Sequence, residues 1–164
     1  MTFNNRGNVL FDKWDYDKAV ADYTEAVRLA PKFAVALSNR GAIWRVKKEY
    51  AQALADFDEA LRINPKYPAP LNLRARILAA CPKEQFRDGK RAIEDARLAC
   101  ELTKDQETTY LDTLAAAYAE TGDFDAAVKW QTKVVASPRS SPMQIEDARK
   151  RLKLYQDQKP YRDE

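Results

Sequence analysis

Two stretches of this chain repeat one another at a distance of 34 residues. YDKAVADYTEAVRLAP (16–31) and YAQALADFDEALRINP (50–65) align so that Ala19, Tyr23, Ala26 and Pro31 are answered by Ala53, Phe57, Ala60 and Pro65. In both, small residues share one helix face with a single aromatic, and a proline closes the segment. A period of this length means that one supersecondary unit is used several times. No such unit buries its apolar face alone, so the stacking of neighbours has to make the core. Small residues let two helix backbones approach closely, and the aromatic fills the space left beside them.

The helix before each segment repeats as well. Phe3, Arg6, Gly7 and Leu10 lead into the first, and Leu37, Arg40, Gly41 and Trp44 into the second. A third unit opens on schedule with Leu71, Arg74, Ala75 and Leu78, but its second helix, marked by Ala92, Ala96 and Ala99, arrives late. Gly41 to Ala53 is 12 residues, whereas Ala75 to Ala92 is 17. The five extra residues fall in CPKEQFRDGK, where Pro82 and Gly89 predict an extended inter-helix loop near 82–89. A fourth unit has Leu111, Leu114, Ala115 and Tyr118, then Ala127, with Gln131 and Val134 replacing the aromatic and the alanine. Beyond it, Ser141, Pro142 and Gln144 have the spacing of an N-cap, a first-turn proline and a capping-box partner. They predict a helix over 142–158, with Ile145, Ala148, Leu152 and Tyr155 on its inner stripe. Arg149, Lys150, Arg151 and Lys153 then fall on a solvated outer face.

This pattern resembles the tetratricopeptide repeat family. The resemblance implies an all-α fold, a tetratricopeptide-repeat superhelix (α-solenoid) of about four helix-turn-helix units plus a C-terminal capping helix. It implies a single domain over 1–164, with repeats at about 1–33, 34–67, 68–107 and 108–141. The last third, ending in KPYRDE, is similar to the terminal segment of bacterial proteins with these repeats, which implies that the natural carboxyl end is present. At the amino end Phe3 already lies inside a repeat helix, which leaves open an excision from a larger protein.

Composition narrows the function. There is no histidine, so neither a Ser-His nor a Cys-His pair can be assembled, and no Gly-rich phosphate loop is present. The expectation is a chain that is not an enzyme and takes no cofactor and no metal. Lys plus Arg exceed Asp plus Glu by 28 − 25 = 3 with the signs interleaved, so no nucleic acid is expected as partner. No apolar run approaches the roughly 18 residues of a membrane helix, so no membrane is expected either. As given, the chain reads as cytoplasmic. Cys81 and Cys100 are too few and too far apart for a disulfide framework or a CxxC site and read as buried thiols.

Binding is what the resemblance implies. Proteins of this family line a concave groove with the first helix of each unit. The stripe one residue on from the packed positions reads Asn4, Asn8 and Phe11, then Ser38, Ala42 and Arg45, then Asn72, Arg76 and Ala79, then Asp112, Ala116 and Ala119. Asparagines can hold a peptide backbone by paired bonds, and arginine can grip a carboxylate bidentately. The expected peptide-binding residues are therefore Asn4, Asn8, Asn39, Arg45, Asn72 and Arg76. Asn8 and Asn39 also match the two asparagines of the chaperone-binding subset of the family, although Asn4, Ala69 and Leu73 replace its basic residues. The expected function is a non-catalytic protein- or peptide-binding adaptor, its partner a protein or extended peptide that is acidic or carries a free C-terminal carboxylate. The alternative is a homo-oligomeric scaffold that pairs through its terminal repeats, capping helix or Trp14, or a recruiting domain of a larger protein. Trp14 either forms such a contact or folds back over Phe11 and Tyr16. Trp44 is expected to be buried, and Trp130 to meet the capping helix.

Overall fold

The computed structural model describes residues 2–163. Met1 and Glu164, the ends of the expected domain, lie outside the described residues. Among these, every regular element is helical. The internal contacts gather into two units, residues up to Pro70 and residues from Leu71 onward.

The first unit holds two helix pairs, α1 (Thr2–Asp12) with α2 (Tyr16–Leu29) and α3 (Ala34–Val46) with α4 (Tyr50–Ile63). A Cβ on Gly7 would stand 2.7 Å from the Tyr23 ring, and one on Gly41 would stand 2.7 Å from the Phe57 ring. Each glycine is thus where the partner helix presses its aromatic against the backbone. Ala19, Ala26, Ala53 and Ala60 are buried along the same contacts. Trp14 turns the chain from α1 into α2 at φ +62°, in the left-handed region, and its ring meets Tyr16 edge-on at 6.0 Å while 78% of it stays exposed. The ring thus folds back onto Tyr16 and leaves most of the side chain in solvent. Trp44 is half-buried rather than buried, because it stands in the last turn of α3, where Lys47 Nζ lies 5.8 Å over its ring.

The arginine of each of the first three repeats has an acidic partner. Arg6 pairs with Asp22 at 2.6 Å and Arg40 with Asp56 at 2.7 Å, both across 16 residues. In the second unit Arg74 pairs with Asp95 at 2.7 Å across 21 residues, the same spacing plus the five inserted. The fourth repeat has Leu114 and Trp130 at these positions, and both pack into one apolar cluster.

The second unit contains α5 (Pro68–Ala80), whose first turn precedes the division, then α6 (Gly89–Leu102), α7 (Thr108–Glu120), α8 (Phe124–Ala136) and α9 (Pro142–Gln156). The inserted loop holds a 3-10 turn at Glu84–Phe86 and is anchored. The Asp88 N–H donates to the Leu78 carbonyl at 2.9 Å, and Arg87 reaches Glu120 at 3.0 Å. Gly89 is the point of closest approach, since a Cβ there would meet Thr121 at 2.7 Å. Ser141 and Gln144 form the reciprocal capping box at the start of α9. Ala148 and Tyr155 are buried, and Trp130 packs against the clusters that contain them.

Arg151 departs from the expected outer face. It reaches inward to Asp112 at 2.7 Å with only 18% of its side chain exposed. Asp112 is buried and needs a counter-charge, and α9 brings one. The helix ends two residues short of 158, and Gln158 at φ +54° turns the chain out of it. Residues 159–163 run on without helical structure, as a strap whose Asp163 N–H donates to the Ala80 carbonyl at 2.8 Å.

Candidate functional site

Three of the six expected residues meet in the first unit. Asn4 and Asn8 stand one turn apart on α1, and Asn39 reaches them from α3. Asn39 Nδ2 donates to Asn8 Oδ1 at 3.1 Å and to Asn4 Oδ1 at 3.3 Å, while the Tyr23 hydroxyl donates to Asn8 Oδ1 at 2.8 Å. Asn4 is buried and serves as an orienting group rather than a surface one. Tyr23 is buried as well. Desolvation, with Asp12 and Asp22 nearby, pushes its hydroxyl up to about 12, so it stays a donor at neutral pH. With both carbonyl bonds of Asn8 fixed from within, its amide N–H pair and the Asn39 Oδ1 have no hydrogen-bond partner among the described residues. They provide one donor group and one acceptor on neighbouring asparagines, the two functions that a peptide unit can answer.

These groups border a cleft of about 380 Å³ lined by Asn8, Phe11, Asp12, Tyr23, Asn39 and Ala42. The lining offers an exposed aromatic, a carboxylate and no cation. Arg45 is half-buried on the same helix as Asn39 but outside this lining.

Asn72 and Arg76 lie one turn apart on α5, in the second unit. Asn72 is buried and its Oδ1 has no hydrogen-bond partner among the described residues. Arg76 is held in a charged cluster. Its guanidinium donates to Asp112 Oδ2 at 2.8 Å and to Asp163 Oδ1 at 2.7 Å. Burial works against its charge, but the bonds and charges of Asp163 and Asp112 outweigh burial and raise its pKa. Burial likewise pushes the Asp112 carboxyl up, yet Arg76, Arg151 and the Gln131 amide hold it below the usual carboxylate range. Gln131, where the other repeats place an aromatic or alanine, is fully buried and donates to Asp112 Oδ1 at 2.8 Å.

The remaining stripe residues of the second unit, Ala79, Ala116 and Ala119, are buried. Sequence reasoning overlooked the acidic partners Asp22, Asp56 and Asp95, although their spacing, 34 and then 39, carries the period and the insertion. It also overlooked Asp112, Gln131 and Asp163 as the company of Arg76, for which the sequence holds no periodic signal.

Helix pairs that repeat at a spacing of 34 residues, stretched by one insertion and joined by small-residue contacts, define a helical-repeat protein. Models of the tetratricopeptide repeat match residues 4–68 and 108–137, and the chain belongs to that family. No curated protein matches it significantly in sequence. Among solved structures it is similar to a tetratricopeptide repeat protein from Parabacteroides merdae ATCC 43184, with a TM-score of 0.76 and 19% identity over 95% of this chain and 58% of that one. YrrB, described as a TPR protein with an unusual peptide-binding site, gives 0.72 and 21% over 95% of this chain and 77% of that one. Pseudomonas aeruginosa pilF gives 0.74 and 17% over 96% and 73%. At these identities the likeness is one of fold, and the chain spans little more than half of the first of these proteins. No helix among the described residues is long and apolar enough to cross a membrane. No group of three or more metal-ligating side chains stands together among them.

Proposed function

We propose that this chain is a non-catalytic adaptor that holds an extended peptide on the first helices of its repeats, working as one domain in the cytoplasm. The observation that carries the reading is the Asn8 and Asn39 pair, aimed by Tyr23 and Asn4 beside an open cleft. Orientation from within matters because an asparagine fixed before binding loses little freedom when it takes up a peptide unit. Asp12 and Phe11 in the lining favour a neutral or basic segment with an apolar side chain at this cleft. An acidic segment or free carboxylate belongs at Arg76, with Asn72 beside it, and Arg45 stands one turn on from Ala42 of the cleft lining on α3. The family and the peptide-binding site of YrrB support the class of function.

The test is titration of the protein with extended peptides of basic, neutral and acidic sequence, each as free acid and amide, followed by amide chemical shifts. Shifts at Asn8, Asn39 and Phe11 with basic or neutral peptides are expected. Silence of these residues towards every peptide would overturn the reading. The second reading, a homo-oligomeric scaffold, draws on Trp14, which is exposed and follows the exposed Val9 and Phe11 in sequence. Light scattering over a hundredfold dilution range separates the two, because a monomeric mass throughout eliminates the scaffold.

A further inference from the structure

The strap after α9 makes contacts of a kind that a bound peptide makes. It has no helical structure, and successive side chains of an extended segment alternate in direction. Tyr161 and Asp163, two residues apart, both meet Arg76, while the intervening Arg162 turns to Glu120. The Tyr161 ring meets two guanidiniums, 5.0 Å from Arg76 and 4.8 Å from Arg151. Asp163 accepts from Arg76 at 2.7 Å, and Arg162 reaches Glu120 at 2.7 Å. One backbone bond, from the Asp163 N–H to Ala80, fixes the register.

Charge balance shows what the position requires. Arg76 and Arg151 share a single internal acid, Asp112, and all three side chains are at most 18% exposed. Asp163 is the second acid. Without it the cluster is left with one uncompensated positive charge in a largely desolvated place, which is costly. One turn away, Asn72 Oδ1 is a buried acceptor with no partner among the described residues, aimed from the same face of α5.

We propose that the α5–α7–α9 face around Arg76 is a binding site for an extended peptide segment of the form aromatic, basic, acidic, and that the strap Pro160–Asp163 occupies it in cis. The aromatic packs against the guanidiniums of Arg76 and Arg151, the basic residue pairs with Glu120, and the carboxylate completes the charge balance at Arg76. A partner bearing such a segment enters by displacing the strap. This rests on the peptide-binding reading but concerns the second unit alone.

The test uses the full chain, unchanged and with Tyr161→Ala plus Asp163→Asn, and a labelled synthetic peptide of residues 158–164, acetylated and amidated. A tethered strap competes at high local concentration, so the double variant is expected to bind the peptide about tenfold more tightly than the unchanged chain, or better. Amide shifts should fall on Asn72, Arg76 and the end of α7. A peptide with alanine for tyrosine and asparagine for aspartate should not bind. Equal affinity of the two proteins, or shifts away from Arg76, overturns the proposal. If the double variant melts below the working temperature, Asp163→Asn alone is used, with the same readout and the same overturning result. Silence at Asn8 and Asn39 in the same spectra, towards the peptides of the earlier test, counts against the first-unit cleft and leaves this site standing.

Discussion

Gln131 Nε2 donates to Asp112 Oδ1 across 2.8 Å inside the second unit, so the residue that breaks the repeat's aromatic pattern is the one that steadies its buried acid. The same oxygen accepts from Arg151 at 2.7 Å, and the other oxygen serves Arg76. Replacing Gln131 with leucine keeps much of the volume but removes a donor from a buried charge. Urea unfolding should show a loss of about 1–3 kcal/mol.

Asp112 also sets a pH dependence. Its folded pKa is below its unfolded value, so its contribution to stability is fully present above the ordinary carboxylate pKa and is lost as pH falls through the folded value. Urea midpoints followed by α7 and α9 amide signals should be flat from about pH 7 to 5 and fall below about pH 4. In Asp112→Asn that part of the acid slope should be missing.

The glycines of the first unit serve a contact rather than a turn. Gly41→Ala places a Cβ 2.7 Å from Phe57, and the overpacking should cost about 1–3 kcal/mol in thermal or urea unfolding. Gly122 is the converse case, with open space around a Cβ and φ at +82°. Alanine there should cost about 1 kcal/mol through backbone strain alone. A Gly41→Ala protein as stable as the original would show that the helices can move apart freely.

The recurring ion pairs should not be equal. Arg40 has 19% of its side chain exposed and Asp56 8%, so Arg40→Ala leaves a buried carboxylate without its bidentate partner, at about 3–5 kcal/mol. Arg6 is 63% exposed, water can replace much of its role, and Arg6→Ala should lower the urea midpoint much less than Arg40→Ala does. Urea midpoints of the two variants, measured side by side, check the order.

Both thiols are buried, and burial pushes the Cys100 thiol up to about 12 and the Cys81 thiol up as well. A thiol-reactive dye at pH 8 should therefore label neither until denaturant opens the second unit, since the thiolate is the reactive form.

The helix pairs, the five-residue insertion and the capping box at Ser141 were legible because each rests on local spacing, whether a 34-residue period or a three-residue cap. Their chemistry acts within a helix or between sequential neighbours. The candidate site was legible only in part. Asn8 and Asn39 lie 31 residues apart on equivalent helices, and the period leads from one to the other. Arg76 and Asp163 are separated by 87 residues, and no pattern in a short non-helical strap announces where it will dock. Arg151 was misplaced because charge along α9 was read as solvated, whereas the buried acid that calls it inward sits on another helix.

Glu120 answers both Arg87 of the inserted loop and Arg162 of the strap, one acid for two bases. If Arg162 leaves, Glu120 and Arg87 remain a neutral couple; if Asp163 leaves, Arg76 and Arg151 are stranded over a single carboxylate. The two anchors of the strap therefore differ in how readily they let go, and detachment has a direction. In the proposed displacement Arg162 is the weaker foothold and Asp163 the stronger, so an incoming segment can seat its own basic residue on Glu120 before it contends for Arg76.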